Sequence, residues 1–373
     1  MVRALKDKLK YVITIVLTSA LVFGFGAWFL LKEPTKYSES ERRTLSLLPE
    51  FSLSDVLSGD FMREFEEASP DQFPLRDIFR SIKAYASEYI FNKKDNNKIF
   101  RADSHLSKLE YPENPDMIQY AGEKFNYIYN EYLENTDADI YLSVVPDKNC
   151  FIAEENGYLA LDYDKFAVRV SEQFSVAEYI DVKPLLDKDD YYTTDTHWRQ
   201  EKIADVAETL CSGMGVGFDG NFRENKLDIP FYGVYYNQSG LNVPYDEIIY
   251  LTNDVIDGCK ITNYDSGAPA DYPMYDMKKA QSADAYEMFL SGTVAISVIE
   301  NPAAKEKNEL ILFRDSFGSS IAPLMAGSFS KITLVDIRYI ASSYIGNVVD
   351  FKNADKVLFL YSTVLLNNSL AMK

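Results

Sequence analysis

Residues 310–321 read Leu-Ile-Leu-Phe-Arg-Asp-Ser-Phe-Gly-Ser-Ser-Ile. Four apolar side chains in a row predict a short strand buried on both faces, because a half-buried strand would alternate. The run breaks at Arg314-Asp315-Ser316, and Gly318-Ser-Ser-Ile opens a helix. A buried strand that yields to a helix through a polar turn is the building unit of an α/β sheet. Working outward, 140–145, Lys331–Val335 and 356–360 are further apolar runs, with a weaker one at 177–181. Helical spacing separates them: Met117, Tyr120, Ala121, Phe125, Ile128, Tyr132 and Leu133 form one stripe, and 164–174 another. Residues 198–212 predict a further helix, with Ile203, Val206, Ala207 and Leu210 on one face and Gly213 as its stop. The alternation argues a parallel sheet covered by helices. Residues 215–300 are richer in Tyr, Gly, Asn and Pro; they read as short strands and loops, an insertion suited to be a substrate platform.

In such a sheet, sites form beyond the carboxyl ends of the strands. Two segments fit that place: the Arg314–Gly318 turn and the polar loop Tyr191-Tyr-Thr-Thr-Asp-Thr-His-Trp198. Ser316 at a strand-to-helix turn has an exposed hydroxyl beside the N–H groups of a helix N-terminus, which favour an oxyanion. A serine hydroxyl is a weak nucleophile without a base. The chain has two histidines, His105 and His197. His197 follows Asp195 by two residues, close enough for the carboxylate to fix the imidazole tautomer. Ser316 as nucleophile, His197 as base and Asp195 as orienting group is the economical reading. The competing one makes Asp195 or Thr196 a helix cap, His197 a surface residue and Ser316 a cap of its own helix. Arg314 and Asp315 flank the serine, either bracing the turn or touching substrate. Arg338, after a strand, is placed for a carbonyl, an anionic sugar or a salt bridge, and Tyr361 for the pocket lining. His105 is read as structural.

The words around these residues carry a resemblance. YYTTDTHW, RDSFGSSIAPLM and LVDIRY resemble the DHHW-type proteins, which are similar to the SGNH-like domains of alginate O-acetylation proteins. The opening ERRTLSLLPEFS and SGDFMREFEEASPDQFPLRD, and the late DKVLFLYSTVLLNNS, match the family's opening and closing strand. The resemblance covers nearly all of the chain after its apolar start. It implies a three-layer α/β/α SGNH hydrolase-like fold whose Asp-x-His pair precedes the serine, and it carries the triad onto Ser316, His197 and Asp195. It further implies that Gly233, in FYGVYY, supplies an oxyanion N–H, with Gly318 beside the nucleophile. The chain has Thr196 where many relatives have His, and keeps Asp195 and His197. The implied activity is serine-dependent O-acetyl transfer or O-acetyl ester hydrolysis on a cell-surface polysaccharide, without metal or dissociable cofactor. A transferase needs an acetyl donor outside the cell, hence a membrane acyltransferase partner. The alternative is a non-catalytic glycan-binding or envelope scaffold that keeps the fold.

Residues 1–10 carry Arg3, Lys6, Lys8 and Lys10 against Asp7, and 11–31 carry no charge. At ~1.5 Å per residue that stretch crosses a hydrocarbon core of ~30 Å. It is longer than the ~7–15 apolar residues of a cleaved signal peptide, so an uncleaved signal anchor is predicted. Its basic flank stays cytoplasmic and everything after about Lys32 lies outside. Residues 32–100, with Pro49, Pro70 and Pro74 as breaks and helices at 61–68 and 77–91, read as a helical lead-in to an α/β domain over 101–373.

Composition narrows the partners. The formal net charge is −19, which disfavours nucleic acid, since phosphate binding needs clustered Lys and Arg. Hydrophobic content of 47% excludes wholesale disorder. The 27 tyrosines suit sugar binding or an ordinary interleaved core. Cys150, Cys211 and Cys259 show no metal-ligand spacing and no disulfide scaffold.

Overall fold

A computed structural model describes residues 2–38, 41, 43–264 and 268–373, with side chains from Lys8 onward. Arg42 of the lead-in motif, Asp265–Gly267 of the insertion and the side chains of Arg3 and Lys6 lie outside the described residues. The chain forms two compact units, one up to Lys93 together with Asn237–Leu241, the other comprising the remainder.

The first unit begins with helix α1, Val2–Leu31. Its stretch Lys8–Leu31 has a mean hydropathy of 2.1 and is long and apolar enough to cross a membrane. Three short helices follow: α2 (Leu53–Ser58), α3 (Asp60–Gln72) and α4 (Arg76–Tyr85), the last continued by one π turn, Ala86–Ile90. Gly59 at φ 88° makes the break between α2 and α3. α3 runs through Pro70, expected to break it, and ends at Gln72; the break falls at Pro74, which holds Phe73 extended.

The second unit is built on an eight-stranded sheet. In chain order its strands are β1 (Asp139–Val145), β2 (Glu178–Tyr179), β3 (Lys260–Asn263), β4 (Ala270–Tyr272), β5 (Ile296–Glu300), β6 (Glu309–Arg314), β7 (Lys331–Val335) and β8 (Lys356–Ser362). Their spatial order is β4-β3-β5-β7-β6-β8-β1-β2. The part from β7 to β2 is parallel, as expected. The sheet as a whole is mixed, because β5 pairs antiparallel with β7, β3 with β5 and β4 with β3. All three come from the segment read as an insertion. A parallel partner needs a crossover connection, usually helical; the segment after β3 holds only strands, loops and short 3-10 turns, so its strands return antiparallel.

Helices cover both faces. Leu310 and Leu312 of β6 pack with Leu358 and Leu360 of β8 against α7 (Ala204–Gly213) and α8 (Phe317–Met325). Ile311, Phe313, Val357 and Phe359 point the other way, into α5 (Pro115–Ile128) and α6 (Tyr163–Gln173). That two-sided burial is why these strands carry no polar alternation, and each buried Phe contributes roughly 1.5–3 kcal/mol. The Phe359 ring lies 4.6 Å from Phe313 and 5.0 Å from Phe125. The helix expected from Trp198 starts only at Ala204, after a 3-10 turn at Gln200–Lys202. Trp198 instead pairs with Tyr191 in a β-bridge that closes the loop between them.

Candidate active site

β6 ends at Arg314, and Ser316 stands at the N-terminus of α8 with φ −63° and ψ −24°. Asp315 is 2% exposed and braces the turn: Oδ1 accepts the Phe317 N–H at 3.0 Å and Oδ2 the Ser362 N–H at 2.9 Å. The end of β6 is thereby tied to the end of β8. Gly318 leaves room for the Arg314 side chain; a Cβ there would lie 2.5 Å from Arg314 Cβ. Arg314 is buried, with Nη1 3.6 Å from Asp336 and 3.3 Å from the Asp315 carbonyl, while Nε and Nη2 have no partner among the described residues. Burial lowers its pKa against the pull of Asp336. Asp336 also takes a two-pronged ion pair from Arg338, through Nε at 2.9 Å and Nη2 at 2.6 Å. Tyr361 is wholly buried, its ring stacked on Phe125 in the α5–α6 layer, and burial pushes its hydroxyl pKa up.

The loop 191–198 reaches Ser316 from 119 positions earlier in the chain. His197 Nε2 lies 2.7 Å from Ser316 Oγ, and His197 Nδ1 lies 2.6 Å from Asp195 Oδ1. Asp195 does not cap the helix that follows it in the chain: Oδ1 also accepts the His197 N–H at 3.1 Å, and Oδ2 accepts the N–H of Val234, the first residue of the short helix Val234–Ser239, at 2.8 Å. Nor does the Ser316 hydroxyl cap α8. Burial by itself raises the carboxyl pKa of Asp195, but the His197 charge and these hydrogen bonds outweigh it and hold the group well below the usual range. An ionised Asp195 requires a proton on Nδ1, which leaves Nε2 to accept the Ser316 O–H. The imidazole is 12% exposed, and its ring stacks on Tyr286 at 3.8 Å between centroids, 6° from parallel.

Several of the residues that hold this arrangement carry no local sequence signal. Tyr286, from the segment read as an insertion, donates its hydroxyl to Ser320 Oγ at 2.8 Å, fixing its ring to α8 as well as to His197. Asp246 accepts the N–H groups of Thr193 and Thr194, each at 2.7 Å, and the Thr194 hydroxyl. Lys148 is buried under the same loop and donates to the carbonyls of Tyr192 at 2.5 Å and Leu106 at 2.7 Å. Burial brings its pKa down to about 7 against the attraction of Asp246, Asp195 and Asp147. Trp198 and Gln200 fasten the loop's far end, the indole N–H to Ser320 Oγ at 2.8 Å and the amide N–H to the Ser320 carbonyl at 2.6 Å. His105 sits in a hairpin that braces the loop through the Leu106 N–H, which donates to the Thr193 carbonyl at 2.8 Å; its own Nδ1–H donates to the Asp103 carbonyl at 2.9 Å.

Gly233 is placed against this loop for a different reason from the one expected. Its N–H goes to Thr194 Oγ1 at 2.9 Å, so it is not aimed at an oxyanion. A Cβ at that position would lie 2.4 Å from Asp195 Cβ and 2.5 Å from the Thr194 carbonyl oxygen. Only glycine permits so close an approach. Gly233→Ala is expected to cost about 1–3 kcal/mol by overpacking, read as a lower denaturant midpoint at unchanged slope; an unchanged midpoint would mean that the loop relaxes freely. The Gly318 N–H is likewise engaged, by the Asp315 carbonyl at 3.1 Å. The Ser316 N–H donates to no acceptor among the described residues.

Among the described residues no group of three or more His, Cys, Asp or Glu side chains is arranged to hold a metal ion, and Cys150, Cys211 and Cys259 are free thiols. No protein-family model matches the sequence, and no curated protein matches it significantly. Solved structures do. A DHHW family protein from Eubacterium siraeum DSM 15702 superposes with a TM-score of 0.54 at 20% identity, over 73% of this chain and 92% of that one. This chain shares the fold of that DHHW family protein. Bacillus cereus PatB1 is similar too, with a TM-score of 0.57 at 18% identity over 73% of this chain and 97% of its own. The same protein with a sulfonyl adduct gives 0.56 at 17%, over 72% and 95%. The likeness covers the α/β fold expected from the apolar runs and the two motifs.

Proposed function

We propose that the chain is a membrane-anchored, extracytoplasmic acyl-transfer enzyme, an O-acetyltransferase or O-acetylesterase acting on a cell-surface polysaccharide through Ser316, His197 and Asp195. The observation that carries this reading is the unbroken relay Asp195 Oδ1–His197 Nδ1 at 2.6 Å and His197 Nε2–Ser316 Oγ at 2.7 Å, at the carboxyl end of a sheet strand. Ser316 Oγ attacks the carbonyl carbon of an acetyl ester while His197 Nε2 takes its proton. Negative charge gathers on the former carbonyl oxygen, facing the Ser316 N–H and the positive end of α8. His197 returns the proton to the leaving alcohol, and the acetyl group stays on Ser316. A sugar hydroxyl in the transferase, or water in the esterase, then attacks that ester as His197 removes its proton; the bond to Ser316 Oγ breaks, and His197 passes the proton to Oγ, restoring the free hydroxyl. Asp195 holds the ring and stabilises the imidazolium throughout.

On the same reading α1 is a signal anchor, residues 1–10 are cytoplasmic, 32–100 lead in, and 101–373 is the catalytic domain, with 215–300 facing the glycan. The acetyl donor reaches it through a membrane acyltransferase partner. Because PatB1, which shares the fold, has been seen with a sulfonyl adduct, a sulfonyl fluoride is a suitable probe. Peptide mass spectrometry of the treated full chain in detergent is expected to find the modification on Ser316. If the probe modifies other residues and spares Ser316, or nothing reacts, a scaffold without catalysis becomes the better account.

A further inference from the structure

The helical unit wears its polar side inward. On α4, Arg76 and Arg80 are only 15% and 18% exposed, drawn into ion pairs with Glu41. Asp71, itself 6% exposed, gathers Arg43 and the Ser46 N–H into the same knot. The apolar residues face out: Ile78 is 54% exposed, Ile82 57%, Ile90 71% and Phe91 68%. Ile78, Ile82 and Ile90 fall on one helical stripe, and a contiguous outward apolar stripe in water marks a surface that something covers.

What covers it follows from a second observation in the same unit. Phe25 and Phe29 belong to the apolar stretch Lys8–Leu31 of α1. Phe25 stacks on Phe73 at 5.9 Å and meets Phe79 of α4 edge-on at 6.0 Å, while Phe29 meets Phe65 of α3 at 6.2 Å. Phe25 lies six residues before the helix end at Leu31, or about 9 Å along the axis. Helices α3 and α4 therefore touch α1 below the end of its apolar stretch. An interfacial amphipathic helix sinks its apolar face ~5–10 Å into the headgroup–acyl boundary, the same depth.

We propose that α4 and its π turn lie in the outer leaflet, with Ile78, Ile82, Ile90 and Phe91 against acyl chains, so that the unit is a lipid-seated collar around the anchor. This rests on the reading that α1 spans the membrane. The collar holds α3 and α4 against the anchor and confines the unit to the bilayer surface beyond what one helix does.

The test uses the full chain in phosphatidylcholine–phosphatidylglycerol vesicles, with a nitroxide on a single introduced thiol. The sites are Ile82→Cys, Ile90→Cys, Leu21→Cys in α1 and Leu159→Cys, a 59% exposed position of the other unit. The wild-type chain treated alike gives the background from its own cysteines. Collision rates with dissolved oxygen and with a water-soluble nickel chelate are compared by power saturation. The expected result is an oxygen-to-chelate ratio at 82 and 90 several-fold above that at 159 and close to that at 21. Labels at 82 and 90 that behave like 159, with 21 remaining lipid-like, overturn the collar and leave the anchor standing. Immobile labels at 82 and 90 shielded from both reagents overturn it in favour of a second copy of the chain covering the face. A label at 21 open to the chelate overturns the spanning reading, and the collar with it.

Discussion

Ser316→Ala and His197→Ala are each expected to lower the turnover of a small aryl acetate by roughly a thousandfold or more, and by similar factors. An activated ester needs little help in expelling its leaving group, so even an enzyme built to deliver its acetyl to a sugar should leak it to water. The two residues share one proton along a 2.7 Å contact. Without His197 the hydroxyl is a poor nucleophile, and without Ser316 the base has nothing to activate. Both side chains are half-buried or better, so circular dichroism of each variant is part of the measurement. His105→Ala supplies the control: its ring is tied to the Asp103 carbonyl and hydrogen-bonds to no member of the triad among the described residues, so turnover should not change. A folded Ser316→Ala protein with wild-type turnover would remove the nucleophile from the proposal. Loss in Ser316→Ala with retention in His197→Ala would leave a serine activated by some other base.

The parts of this arrangement visible in the sequence are those with a local physical signature. The Leu-Ile-Leu-Phe run of β6 and the Val-Leu-Phe-Leu run of β8 are apolar throughout because both faces are covered, and they reveal the sheet directly. Ser316 and His197 are legible as a turn and a polar loop that α/β topology carries to one end. What was missed has no short-range pattern. Ile296–Glu300, Lys260–Asn263 and Ala270–Tyr272 are three to five residues long amid Tyr, Gly and Pro, too brief for periodicity to separate strand from loop. Trp198 reads as helical because apolar residues follow it at the right spacing, yet its indole serves the loop and not α7. Asp246 and Tyr286 act on the loop from 52 and 89 positions further on, counted from Thr194 and His197, and only the fold brings them there. Gly233 was noticeable as a residue, but its purpose lies in the absence of a Cβ beside Asp195.

Asp195→Asn is expected to preserve that packing and still cost roughly a thousandfold to ten-thousandfold in kcat, with little change in KM. Asparagine has the same shape, so its oxygen can keep the Val234 N–H that Asp195 Oδ2 now accepts at 2.8 Å. Its amide then offers an N–H where Oδ1 stood, and a donor facing Nδ1 forces the ring proton onto Nε2. Nε2 can no longer accept from Ser316, so the relay points the wrong way. The imidazolium formed during attack also loses its counter-charge in a site where Asp195 is 1% exposed and water cannot replace it. Binding should survive, because Asp195 is buried behind His197 and too deep to touch a polysaccharide. That separation between kcat and KM distinguishes an orienting group from one that only braces the loop. If turnover falls less than tenfold while thermal stability drops, Asp195 is a loop anchor. The tautomer would then be set elsewhere.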